Sequence, residues 1–172
     1  AQNGQLAAMR GVADRGYDFW LYAPREYLYE DQRVPVIIFL HGRSLCGTNM
    51  KRVRRYGLLH AIERGRYYPC IFIGMSLGGY GTLDFAGTYP DRVAAAMALC
   101  GGCTLRDMGG LGRLPLWIMH GTADRAVPIS QSKQVVEAIK ETAGDSLLRY
   151  DWVKGASHGD LARLLYLKQT YD

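Results

Sequence analysis

Ile71-Phe72-Ile73-Gly74-Met75-Ser76-Leu77-Gly78-Gly79-Tyr80 is an apolar run that ends in G-x-S-x-G. Such a run reads as a buried strand turning sharply into a helix, with a serine held at the turn. Gly74 and Gly78 fit that geometry because no side chain then crowds the turn, and Gly79 lets the following helix approach closely. Met75 and Leu77 are expected to point into the core, and the Leu77 N–H to help form an oxyanion hole. Serines flanked by glycines also occur in ordinary loops, so the rest of the chain must decide.

Two further segments supply the partners that a nucleophilic serine needs. Asp124 lies in His120-Gly-Thr-Ala-Asp124-Arg-Ala-Val-Pro128, after the apolar run Leu114-Pro-Leu-Trp-Ile-Met119. His158 lies in Lys154-Gly-Ala-Ser-His158-Gly159. The order Ser76, Asp124, His158 is one of the three chain orders in which this catalytic constellation occurs. In this reading His158 takes the proton of Ser76 and returns it to the leaving alcohol, while Asp124 fixes the histidine tautomer. The alternative for Asp124 is a turn cap beside Thr122, and Asp160 is its rival for the role. A fourth segment, Val34-Pro-Val-Ile-Ile-Phe-Leu40-His41-Gly42-Arg43-Ser44, reads as a strand buried on both faces that ends in a glycine turn. If that strand neighbours the serine strand, the backbone amides of Arg43 and Leu77 converge on the developing oxyanion. The Arg43 guanidinium itself is expected to be solvated.

Together His41-Gly42, Gly74-Met-Ser76-Leu-Gly78-Gly79, His120-Gly-Thr-Ala-Asp124-Arg-Ala-Val-Pro and Ser157-His158-Gly resemble the α/β-hydrolase superfamily. Within it they resemble secreted or periplasmic esterases related to polyhydroxybutyrate depolymerases, feruloyl esterases and peptidase-like or phospholipase-like proteins. The resemblance runs from about Tyr17 to the end. It implies a mostly parallel sheet with helices on both faces, a catalytic Ser76, Asp124 and His158, and an oxyanion hole from Arg43 and Leu77. It implies no cofactor and no metal.

The chain departs from the family between the His-Gly turn and the serine. Only 34 residues lie between His41 and Ser76, where the superfamily has an additional strand with its own helix. Asn49 to Gly65 reads as one helix, with Val53, Leu58, Leu59 and Ile62 on its apolar side. Tyr67-Tyr-Pro-Cys-Ile-Phe-Ile73 then enters the serine turn directly. A break between Ile73 and Gly74 that hides a helix and a strand start is therefore expected, because successive parallel strands need a crossover. The alternative is a reduced sheet. One domain over residues 1–172, incomplete near 73–74 and at its C-terminus, accommodates this.

The remaining segments alternate strand and helix, as a parallel sheet requires. Tyr17 to Tyr22 suggests an early strand leading into a sheet edge. A helix is expected from Leu77 to about Thr88, a strand from Val93 to Leu99 and a helix from Gln131 to Glu141. The last should bury Val135, Val136 and Ile139, with Ser130 or Ser132 as its candidate cap. A strand from Leu147 to Val153 and a closing helix from Leu161 to Gln169 follow.

The 172 residues, 48% hydrophobic and 22% charged, suit one globular core. The formal charge of +5 gathers in Lys51-Arg52, Arg54-Arg55, Arg64 and Arg66. No interleaved aromatic platform accompanies these residues, so solvated helix faces are expected rather than nucleic-acid binding. An anionic substrate stays open. No apolar run is long enough for a membrane span. Cys100-Gly-Gly-Cys103 lacks a second close pair and a histidine at ligand spacing, so no zinc site is expected. Cys70 and Cys100 read as buried free thiols. His41 and His120 open turns and should bond local backbone, whereas His60 reads as a helix-surface residue. Trp20, Tyr80, Trp117 and Trp152 are expected to serve packing rather than a substrate site. A start at Ala1 suits a mature periplasmic or secreted protein, and the full chain is expected to continue past Asp172.

The expected function is a serine-dependent carboxylic ester hydrolase acting through an acyl-enzyme. Its substrates would be small-molecule or polysaccharide-linked esters carrying small, acetyl or hydroxycinnamoyl acyl groups. A serine peptidase or acyltransferase uses the same attack and stays open, as does a non-catalytic binding module on the same fold.

Overall fold

A computed structural model describes residues 4–12, 14, 16–23, 27–28, 36–54 and 71–166. Its centre is a five-stranded parallel sheet of β3 (Ile37–Leu40), β4 (Ile71–Met75), β5 (Ala95–Leu99), β6 (Leu116–Gly121) and β7 (Leu148–Val153), paired in that order. The central strands β4, β5 and β6 are apolar because both their faces are covered, whereas β7 exposes Arg149 and Tyr150. On β4, β5 and β6, Phe72, Ala96, Ala98, Leu116 and Ile118 enter one cluster. Ile73, Met75, Met97, Leu99 and Met119 enter another.

Helices α2 (Leu77–Thr88) and α3 (Ser130–Thr142) cover the first face through Leu83, Ala86, Val135, Val136 and Ile139. Phe72 stacks on Phe85 of α2, with ring centroids 4.5 Å apart. Helix α4 (His158–Tyr166) covers the second face through Leu161. The expected lengths of α2 and α3 and the expected buried side of α3 are found, and α2 ends at Thr88, before Pro90. Ser130 and Ser132 do not cap α3, whose start carries no side-chain cap. Helix α1 (Lys51–Arg54) is the described part of the helix expected from Asn49 to Gly65. Leu58, Leu59, His60, Ile62, Cys70 and the arginines 55, 64 and 66 lie outside the described residues.

Ile73 and Gly74 follow one another within β4, and residues 55–70 ahead of it lie outside the described residues. Both residues belong to one strand: Ile73 pairs with Phe39 and Met97, and Gly74 pairs with Leu40 and Ala98. A single five-residue segment satisfies neighbours on both sides, so it both leaves the β3 edge and enters the serine turn. The early strand is corrected. β2 (Phe19–Ala23) pairs antiparallel with β1 (Gln5–Met9) in a sheet of its own, rather than joining the edge of the large one. Trp20 holds this hairpin to the segment before α1, with its indole N–H donating to the Met50 carbonyl at 2.9 Å.

Glycine is required where β3, β4 and α2 meet. A Cβ on Gly74 would run into the Gly78 carbonyl, and one on Gly78 would run into the Leu40 carbonyl. Backbone atoms held in a sheet cannot step aside. Gly78→Ala is therefore expected to destabilise the fold by at least about 3 kcal/mol, the upper range for overpacking. Urea unfolding measures this, and an unchanged midpoint would reject the tight approach.

Candidate active site

Parallel strands bring their carboxyl ends to one edge of a sheet, and the loops there collect the chemistry. Ser76 follows β4, Cys100 follows β5, Asp124 follows β6, and His158 follows β7 as the first residue of α4. Ser76 has φ 57° and ψ −121°, a conformation that L-residues rarely adopt. Its amide donates to the Leu99 carbonyl at 2.8 Å, and its carbonyl accepts from Tyr80 N–H at 3.0 Å. The turn is thus pinned to β5 and to α2, which holds the half-buried serine at the sheet edge.

Leu77 opens α2, where its side chain is 57% exposed. The expectation that it points into the core fails because the first turn of α2 rises past the edge of the sheet. Met75, one residue before the serine, is buried as expected. The pairing of Leu40 with Gly74 makes β3 and β4 neighbours, so the His41-Gly42-Arg43 turn lies beside the serine turn. Arg43 begins a 3-10 turn, Arg43–Leu45. Its side chain is exposed, and His41 Nδ1 faces the Gly42 carbonyl at 2.9 Å.

Asp124 is the most heavily bonded side chain of the site. Its Oδ1 accepts from the amides of Ala126 at 2.8 Å and Val127 at 2.9 Å. Its Oδ2 faces His158 Nδ1 at 2.7 Å. Burial alone would raise its pKa. The Val127 amide, His158, the Ala126 amide and the Cys100 thiol together hold it below the ordinary carboxylate value. A depressed carboxylate favours the folded state above its unfolded pKa and loses that contribution as pH falls through the folded value, so this anchor weakens only in acid.

Asp160 engages Ser157 instead, accepting from its amide at 2.9 Å and its hydroxyl at 2.7 Å. That arrangement caps the start of α4 and leaves His158 to Asp124. Among the described residues Ser76 makes no hydrogen bond to His158. Such contacts often close only when substrate is bound.

A second Ser-His-Asp chain shares the same carboxylate. His120 Nε2 lies 3.4 Å from Asp124 Oδ2 and 3.0 Å from the Val127 carbonyl, and His120 Nδ1 lies 2.7 Å from Ser132 Oγ. The Ser132 Oγ also lies 2.8 Å from the Gly101 carbonyl, so its single proton is shared between that oxygen and His120 Nδ1. Ser132 and His120 are wholly buried. Burial pushes the His120 pKa down, so the ring is neutral, and a proton on Nε2 suits the acceptors beside it. No substrate reaches Ser132, and its hydroxyl is committed between His120 and Gly101. The network braces Asp124 from behind.

Cys100 completes the surroundings, with its backbone at φ 48° and its side chain fully buried. Burial, reinforced by its bond to Asp124, pushes its thiol up to about 12, so it remains protonated. Cys46, Cys100 and Cys103 are free thiols. Neither Cys100 nor the bracing role of Ser132 was foreseen, since both depend on which strands lie side by side. The order β5-β6-β7 of apolar runs is the only signal that could have suggested them. Beside His158 a depression of about 490 Å³ is lined by Ala123, Arg125, Ala126, Ser157, His158 and Gly159. The tryptophans lie outside that lining: Trp117 donates to Asp151, and Trp152 packs on the core.

No family model and no curated protein matches the chain. Solved structures do. A thermostable esterase superposes with a TM-score of 0.67 at 19% identity, over 90% of this chain and 55% of that one. A structure of FAE gives 0.64 at 16% identity, over 91% and 83%. An acylaminoacyl peptidase from Pyrococcus horikoshii gives 0.62 at 17% identity, over 94% and 39%. The chain thus spans about half the length of the thermostable esterase. At these identities the likeness is one of fold, and the five parallel strands, the helices on both faces and the serine turn after β4 make that fold the α/β-hydrolase fold.

Proposed function

We propose that the protein is a serine-dependent carboxylic ester hydrolase. The observation that carries the reading is the strained Ser76 turn at the same sheet edge as the 2.7 Å Asp124–His158 contact. Ser76 Oγ attacks the ester carbonyl as His158 Nε2 takes its proton, and the oxyanion is held by the amides of Arg43 and Leu77. Collapse expels the alcohol, which leaves with the proton from His158. Water then attacks the acyl-enzyme with His158 again as base, releasing the acid and restoring Ser76.

Small, acetyl or hydroxycinnamoyl esters are the proposed substrates. The sequence supports this, since it carries no extended apolar stretch of the kind that lids a site for long lipid chains. Export to the periplasm or cell exterior belongs to the same proposal, and cell fractionation tests it.

A panel of acetyl, butyryl, hydroxycinnamoyl and long-chain esters, with acylated peptides alongside, tests the reading. Faster turnover of the small and hydroxycinnamoyl esters is expected. Preference for long-chain triglycerides would reject the substrate class, and turnover of peptides alone would reject the esterase. Asp160→Asn in the same panel should leave kcat near the parent value, because Asp160 serves Ser157. A collapse of kcat would transfer to Asp160 the role given to Asp124.

A further inference from the structure

We propose that Cys100, Asp124 and His158 form an inhibitory site for one thiophilic divalent cation of the zinc class. The Cys100 sulfur, an Asp124 carboxylate oxygen and a His158 ring nitrogen all lie within 4.8 Å of one another. A single ion with bonds of about 2.0–2.3 Å reaches all three after small side-chain shifts. Thiolate, imidazole and carboxylate are also the donor set that such ions select over magnesium or calcium. The three groups end successive neighbouring strands, so the sheet itself holds them together.

Cys103 is no part of this site, because its thiol faces Asp84 and the Leu105 backbone. Cys100 and Asp124 are buried, while the His158 side chain is 24% exposed and lines the open depression. Entry is therefore past the imidazole, and a water on that side supplies the fourth ligand. Binding releases one proton to solvent, from the Cys100 thiol, and exchange with water moves the His158 proton from Nδ1 to Nε2. With the cation on Nδ1, the neutral ring carries its proton on Nε2 and has no lone pair to receive the proton of Ser76. The inhibitory consequence rests on the esterase reading, whereas the binding does not.

Cadmium is the probe, because its bond to a thiolate gives an ultraviolet charge-transfer band. The protein with Cys46, Cys70 and Cys103 replaced by serine retains one thiol. It should bind one equivalent of Cd²⁺ with that band, lose ester hydrolysis in parallel, and recover on addition of EDTA. Cys100→Ala should lose the band, and its inhibition, relative to its own metal-free rate, should require roughly tenfold to a hundredfold more metal. His158→Ala should weaken the band titration by a similar factor. Absence of the band in the single-thiol protein, or undiminished affinity in His158→Ala, would overturn the site. A full band without any ester hydrolysis in the metal-free protein would leave the site standing and reject the proposed function.

Discussion

Ser76→Ala is expected to lower kcat for every ester in the panel by on the order of 10⁵-fold or more, the loss seen when a triad nucleophile is removed. It should also abolish covalent labelling by a fluorophosphonate probe. The backbone gives the reason: at φ 57° the turn aims one hydroxyl out of the sheet edge, and alanine keeps the turn while removing that hydroxyl. Ser132→Ala is the decisive companion, since Ser132 also belongs to a Ser-His-Asp chain. Its loss should cost about 1–3 kcal/mol of stability by removing the one proton that His120 Nδ1 and the Gly101 carbonyl share. Labelling at Ser76 should persist. A probe adduct on Ser132, Ser157 or Ser44 would sink the assignment.

Asp124→Asn is expected to keep the fold and to lower kcat by on the order of 10³–10⁴-fold. The amide oxygen can take the place of Oδ1 and go on accepting from Ala126 and Val127, so the turn survives. The amide nitrogen then faces His158 Nδ1 and donates to it. That forces the proton of the ring onto Nε2, where a lone pair is needed. Measuring kcat beside the melting temperature separates the two effects: a large loss of kcat with little change in melting is the expected pattern. Unchanged kcat would show that His158 does not depend on this carboxylate.

Much of this arrangement was legible along the chain because local rules govern it. Strands β5 and β6 are apolar runs bounded by glycine, proline or polar turns, and their observed limits, like those of the more polar β7, lie within two residues of those read from sequence. Helix α2 was legible at both ends, from the serine turn and from Pro90. Gln5-Leu-Ala-Ala-Met9 has no β-branched residue to mark it as a strand, and only its pairing with Phe19–Ala23 makes it one. The Ile73–Gly74 break was inferred from the assumption that one strand could not serve both the β3 edge and the serine turn. The register pairs Ile71–Gly74 with β3 and Ile71–Met75 with β5. The exposed Leu77, the buried Ser132 and the approach of Cys100 to Asp124 depend on lateral neighbours, which spacing along a chain does not encode.

His158 begins the last described helix, and that helix follows β7, which has a single neighbour among the described strands. The serine turn, by contrast, sits between β3 and β5 and is tied to both. Local opening free energies run from near zero up to the global value, and among the described side chains of α4 only Leu161 is buried against the sheet. Detachment of α4 would therefore remove the base while the nucleophile stayed strained and in place. Heat inactivation and global unfolding then become separate events, and the durability of the protein at work is set by how well one marginal helix stays docked rather than by the cohesion of its core.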